Sequence, residues 1–187
     1  MTIRVIEKTI EEIEARLSTI DTILNKIVYL ESALKSNFGI ESKRFIWKKI
    51  SELYEERKMF EKAAKAMMGK AGFDITYSDK IDSYLRAGEL YSNAGKVEDA
   101  DQMFIRASRD ANDQQKEKVR LTKKNIYLAS AKDLESKGRN ASSCKFYEKL
   151  IKMNLDSTEK EQIKQKLISI YKSLGKFKEI KFLEGIN

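Results

Sequence analysis

The chain has no histidine and no proline, one cysteine and only 8 glycines in 187 residues. Without histidine it lacks the commonest general base, the commonest zinc ligand and the side chain that titrates near neutral pH. Carboxylate and lysine chemistry stays open, but no pair of carboxylates is singled out by an apolar setting. Glu11-Glu12, Glu55-Glu56 and Asp99 all stand near Lys or Arg on polar stretches. The sequence therefore offers no catalytic residue, no metal site and no cofactor, and the chain is expected not to be an enzyme. Cys144 has no partner for an intramolecular disulfide and reads as a small packing residue. No apolar run approaches the roughly 18 residues that cross a membrane. The N-terminal MTIRVIEKTIEEIEARL is too charged for a signal peptide, so the expected location is cytoplasmic.

What is present is charge and helical periodicity. Charged residues make up 35% of the chain, and the net charge is +8. From Tyr84 to Ala107 the order is Tyr84, Ala87-Gly88, Tyr91, Gly95, then Ala100, Phe104 and Ala107. Steps of three and four residues on both sides of a glycine predict two amphipathic helices joined at Gly95. Gly88 falls inside the first helix, where glycine costs about 1 kcal/mol relative to alanine. That cost predicts a close approach of the second helix, with Ala100 facing the gap and alanine tolerated at 88.

The pattern recurs. Trp47, Ile50-Ser51, Tyr54, Ala63 and Met67 keep the spacings, with Lys58 at the turn. Tyr127, Ser130-Ala131, Leu134, Gly138, Ser143 and Tyr147 keep them again, and Leu167-Ile168, Tyr171, Gly175 and Ile180 form a partial version. This order resembles the tetratricopeptide repeat over roughly residues 42 to 187. The units begin near 47, 84, 127 and 164, a longer period than that family's, and the repeat-end proline is missing. In this the chain is similar to the stretched repeats of the SNAP adaptors of membrane traffic. The resemblance implies an all-α fold of stacked antiparallel helical hairpins, a tetratricopeptide-like α-solenoid of about three to four units.

Ahead of the repeats, Ile3, Ile6, Ile10, Ile13, Leu17, Ile20, Leu24, Ile27, Leu30 and Leu34 form a heptad-like seam. It predicts one long amphipathic helix over 2–36, about 50 Å in length. The expected division is thus 1–41 for this helix and 42–187 for the repeat domain, with eight or nine helices in all. The seam either packs on its own array or self-associates through 3–34. Gly39 is expected as a left-handed stop, Phe73–Ser78 as a short non-helical stretch with strand character, and the helix after Gly175 as a cap closing the array.

Three motifs dissolve on inspection. Gly88 to Lys96 has the wrong glycine spacing and no Ser or Thr after the lysine for a phosphate loop. Asp110, Asn112 and Gln114 lack the glycine and the final glutamate of a calcium loop. Asn140-Ala141-Ser142 matches a glycosylation site that a cytoplasmic chain would not use.

Stacked hairpins present a face lined by the first helix of each unit, and the resemblance implies that this face binds protein. Its positions here are Phe45, Lys48 and Glu52; Asp82, Leu85, Arg86 and Glu89; and Asn125, Leu128 and Lys132. Relatives that clamp a peptide carboxylate need more donors than Lys48 and Arg86 supply, and that activity is not carried over. Leu85 and Leu128 in the floor suit a helical or extended peptide segment, or else the N-terminal helix itself. The expected function is a non-catalytic interaction scaffold or adaptor. The alternative is nucleic-acid or anionic-membrane binding through the basic stretch 111–155, densest at Lys116, Lys118, Arg120, Lys123 and Lys124.

Overall fold

The computed structural model describes residues 5–109 and 111–185. Among the described residues there are ten helices and no strand. They are α1 (Ile10–Ser18), α2 (Ile23–Ala33), α3 (Ile40–Glu56), α4 (Phe60–Ala71), α5 (Tyr77–Asn93), α6 (Val97–Arg109), α7 (Asp113–Ser136), α8 (Asn140–Leu150), α9 (Ser157–Ser173) and α10 (Phe177–Glu184). The chain forms two compact units, residues 1–116 and 117–187.

The seam expected to make one long helix makes two. Thr9 starts α1 with a capping box: its hydroxyl accepts from Glu12 N–H, and the Glu12 carboxylate accepts from Thr9 N–H. At the other end Ser18 and Thr19 hydroxyls donate to the carbonyls of Ala15 and Arg16. Thr22 then caps α2 by accepting from Asn25 N–H at 3.2 Å. Short hydroxyl side chains compete with the helical ladder at this point and break it. The apolar period survives because both halves bury their stripe in the same core. Ile13 and Leu17 from α1 meet Tyr29, Leu30 and Ala33 from α2, and all pack with Ile46, Ile50 and Ala66 of α3 and α4. The N-terminal helices thus share the core of the first unit. Ile3 lies outside the described residues.

Four hairpin turns share one backbone geometry. Lys58, Gly95, Gly138 and Gly175 have φ of 57°, 73°, 69° and 69°. After each, an N–H donates to the carbonyl five residues back: Met59 to Tyr54, Lys96 to Tyr91, Arg139 to Leu134 and Lys176 to Tyr171, all at 2.8–2.9 Å. This is the left-handed close that uses up the last carbonyls of a helix, and glycine makes it without steric cost. Lys58 adopts it as a lysine.

Side-chain contacts repeat with the turns. Tyr54 donates to Glu31, Tyr91 to Met68 and Tyr171 to Glu148, each reaching 23 residues back. So α2 stands to α3 as α4 does to α5, and as α8 does to α9. Ser51 Oγ donates to the Ala63 carbonyl, and at the matching positions of the second unit Ser143 Oγ donates to the Ala131 carbonyl, both at 2.9 Å. The hydroxyl has changed helix and the bond is kept.

Within the hairpin of α5 and α6, Phe104 rather than Ala100 lies over Gly88. A β-carbon on Gly88 would meet the Phe104 ring at 2.7 Å. Gly69 likewise faces the indole of Trp47, with a β-carbon 2.7 Å from it. Gly39 is no left-handed stop: at φ −65° and ψ 169° it is the extended N-cap of α3.

The stretch expected to have strand character is a linker pinned by charge. Asp74, its carboxylate fully buried, accepts from Arg44 Nε at 2.9 Å, Lys70 Nζ at 2.7 Å and Ser83 Oγ at 2.5 Å. One side chain thereby joins α3, α4 and α5. Thr76 caps α5 by accepting from Asp79 N–H.

Candidate partner-binding faces

In the first unit the residues expected to line a binding groove come from α3 and α5, and they divide into core and surface. Leu85 is buried, and Phe45 is partly buried against the core shared with the N-terminal helices. Leu85 is therefore not the open floor expected of it.

The polar members form an ion-pair line instead. Glu52 pairs with Lys48 and with Lys49. Arg86 pairs with Glu55 across the two helices at 2.6 Å and with Glu89 along α5 at 2.5 Å. Burial works against the charged guanidinium, but Glu89 and Glu55 outweigh it and raise its pKa further. Asp82 is exposed and also engaged.

In the second unit Asn125 and Lys132 are exposed on α7, and Leu128 is half-buried. Here the cross-helix pair recurs: Lys166 of α9 meets Glu135 of α7 at 3.0 Å. Glu135 and Lys166 occupy the positions of Glu55 and Arg86 relative to the turns at Gly138 and Lys58. The ion pair between successive first helices is thus a repeated feature, which the sequence reading missed because Arg became Lys.

The dense basic run is largely spoken for. Lys116 pairs with Asp113 at 3.3 Å. Arg120 is bound by Glu117 through two bonds and donates to the Asn154 carbonyl at 2.7 Å. Lys124 pairs with Glu159 at 2.6 Å, and Lys123 lies over the Tyr127 ring. Lys118 also has a partner. The wider imbalance remains, since residues 117–187 hold 17 Lys and Arg against 9 Asp and Glu, which accounts for the whole net charge of +8.

Cys144 is buried on α8, and burial, with the Glu148 carboxylate at 3.2 Å from its sulfur, pushes its thiol pKa up to about 12. A thiol held protonated is not a nucleophile. Asp110, part of the dismissed calcium-loop pattern, lies outside the described residues. No helix among the described residues is long and apolar enough to cross a membrane.

One concave site was not foreseen. A cavity of about 520 Å³ opens between α8, α9 and α10, lined by Ile151, Leu167, Tyr171, Phe182 and Leu183 together with charged neighbours. The helix expected to cap the array leaves Phe177 65% and Phe182 85% exposed. A cap requires a polar outer face, so α10 does not meet that description. The sequence signal was Phe177 and Phe182 on one short helix among lysines.

No family model matches the chain. Neither a curated protein nor a solved structure matches it.

Proposed function

We propose that the chain is a non-catalytic scaffold of tetratricopeptide-like helical hairpins with stretched repeats, and that it binds a segment of another protein. The observation that carries this reading is the recurrence of one hairpin at Lys58, Gly95, Gly138 and Gly175, with the Tyr contacts and the Glu55–Arg86 and Glu135–Lys166 pairs recurring with it. A fold that repeats its packing residues leaves the positions between them free to vary, and helical-repeat surfaces of this kind bind other chains. The first-helix faces supply Lys48, Glu52, Arg86 and Glu89 in one unit and Asn125, Leu128 and Lys132 in the other.

The test is photo-crosslinking from positions 48, 89, 125 and 132 in a native extract at low and high salt. Expected is one recurrent partner from at least one of these faces, lost when Lys132→Glu or Glu89→Lys is introduced. Crosslinks of equal, unselective yield from all four positions and from the opposite helix faces would overturn the reading.

A second reading rests on the +8 held by residues 117–187. A polyanion would bind through that imbalance, with an affinity that falls steeply with salt as counterions are released. Replacing Lys118, Arg120, Lys123 and Lys124 by Gln should flatten the slope; unchanged binding to RNA and to anionic vesicles removes this reading.

A further inference from the structure

We propose that the cavity between α8, α9 and α10 is the docking site for an acidic amphipathic helix of a partner protein, whose large apolar side chains enter the cavity. The proposal rests on the scaffold reading above and gives it a place and a partner chemistry.

The first observation is positional. Counting seven residues on from each turn, the second helices of the four hairpins carry Lys65, Gln102, Lys145 and Phe182. Lys65, Gln102 and Lys145 are exposed polar residues, as that face of the helix requires. Phe182 sits at the same position, 85% exposed. Two residues on from the turn, Val97 is buried in its hairpin at 1% exposure, whereas Phe177 stands 65% exposed. Large aromatics held out in water, at positions that are polar, partly buried or buried in the other hairpins, gain free energy only when something covers them.

The second observation is the shape. Helix α10 has 8 residues where α6 has 13. Nine residues after the turn, α6 places Phe104 in the core and α10 places Glu184. Ile151, Leu167 and Leu183 line the recess beside this shorter helix. A recess of about 520 Å³ accepts two or three large side chains, which a helix presents at i, i+3 and i+4 or i+7. A flat bilayer cannot fill such a recess, which favours a helix over a lipid surface.

The third observation is charge. Two carboxylates line the cavity, and both are engaged: Glu148 accepts from Tyr171 and Cys144, and Glu179 faces Lys176. The two lysines that line it, Lys152 and Lys178, form no ion pair among the described residues. The charges that line the cavity balance, two carboxylates against two ammonium groups, and the positive field comes from the unit around it, which carries 17 basic against 9 acidic residues. An occupant with acidic flanks is complementary, and a basic one is repelled.

The experiment uses the full chain and synthetic helical peptides about 18 residues long, with Leu and Phe on one face and Glu on its flanks. A peptide with the same apolar face and Lys flanks, and a scrambled acidic peptide, serve as controls. Fluorescence anisotropy should show binding of the acidic amphipathic peptide only. Lys152→Glu with Lys178→Glu should weaken it at least ~10-fold and bring up binding of the Lys-flanked peptide. Phe182→Asp should abolish binding of both. All three positions are exposed, and circular dichroism checks that the variants stay folded.

Binding of the acidic peptide that ignores these substitutions overturns the cavity as the site while leaving the scaffold reading in place. No binding of any peptide to the parent chain overturns the proposal. Anionic vesicles that bind in a Phe182-dependent way assign the surface to lipid and overturn it. A parent chain that is dimeric by light scattering and becomes monomeric with Phe182→Asp assigns the cavity to a second copy and overturns it too.

Discussion

Gly88 of α5 lies under the ring of Phe104 of α6, so close that a β-carbon on Gly88 would stand 2.7 Å from the ring. Phe104 is 1% exposed, so its ring shifts only against other core side chains. Gly88→Ala gains helix propensity but overpacks the hairpin, and the second effect wins, with an expected loss of about 1–3 kcal/mol. Gly88→Leu should lose more. Combining Gly88→Ala with Phe104→Leu should recover part of the loss, a coupling that urea denaturation of the double-mutant cycle measures. Additive losses would mean that the two side chains do not press on each other.

Asp74 gives the first unit a dependence on acid. Burial raises its pKa, but hydrogen bonds from Lys70, Ser83 and Arg44, with the Lys70 charge, outweigh burial and lower it below the usual carboxylate value. A group depressed in the folded state adds stability above its unfolded pKa and loses that stability as pH falls through the folded one. The advantage of the parent over Asp74→Asn should therefore be constant above about pH 5 and shrink below about pH 4. Near neutral pH, Asp74→Ala leaves Lys70 and Arg44 without their buried partner and should cost about 3 kcal/mol. Denaturation midpoints from neutral to acid pH read both effects.

Lys58 holds φ at 57°, where the three matching turns have glycine. A non-glycine residue in that conformation costs about 1–2 kcal/mol. Lys58→Gly should recover about 1 kcal/mol, less a share spent on the freer unfolded chain. Gly138→Ala should cost a similar amount in the second unit. Thermal melting of the two variants should move in opposite directions.

Thr22 separates α1 from α2. Its hydroxyl caps Asn25 N–H, so Thr22→Ala should cost about 1 kcal/mol. Amide exchange should quicken at Asn25 and in the first turn of α2. If the segment were one continuous helix, the substitution would instead raise protection there.

The sequence by itself determined the all-helical class and the four turns. Those are local properties: apolar steps of three and four, glycine at the reversal, hydroxyl or acidic residues at the starts. It also located Lys58 as a turn residue, because the spacing from Trp47 and Tyr54 demanded a reversal there whatever residue occupied it. The break at Thr19–Thr22 was local too, but the heptad period of Ile13, Leu17, Ile27 and Leu30 spoke louder than the hydroxyls. Two short helices burying one stripe in one core have the same apolar period as one long helix.

Only the tertiary structure decided what each apolar position meets. Periodicity assigns a residue to a face and cannot say whether another element covers that face. Thus Leu85 and Leu128 look like groove floor in sequence and are buried and half-buried, while Phe182 looks like a cap residue and stands in water. The same holds for charge: Arg86 and Lys124 read as free cations until Glu55 and Glu159, each more than 30 residues away, are brought to 2.6 Å by packing.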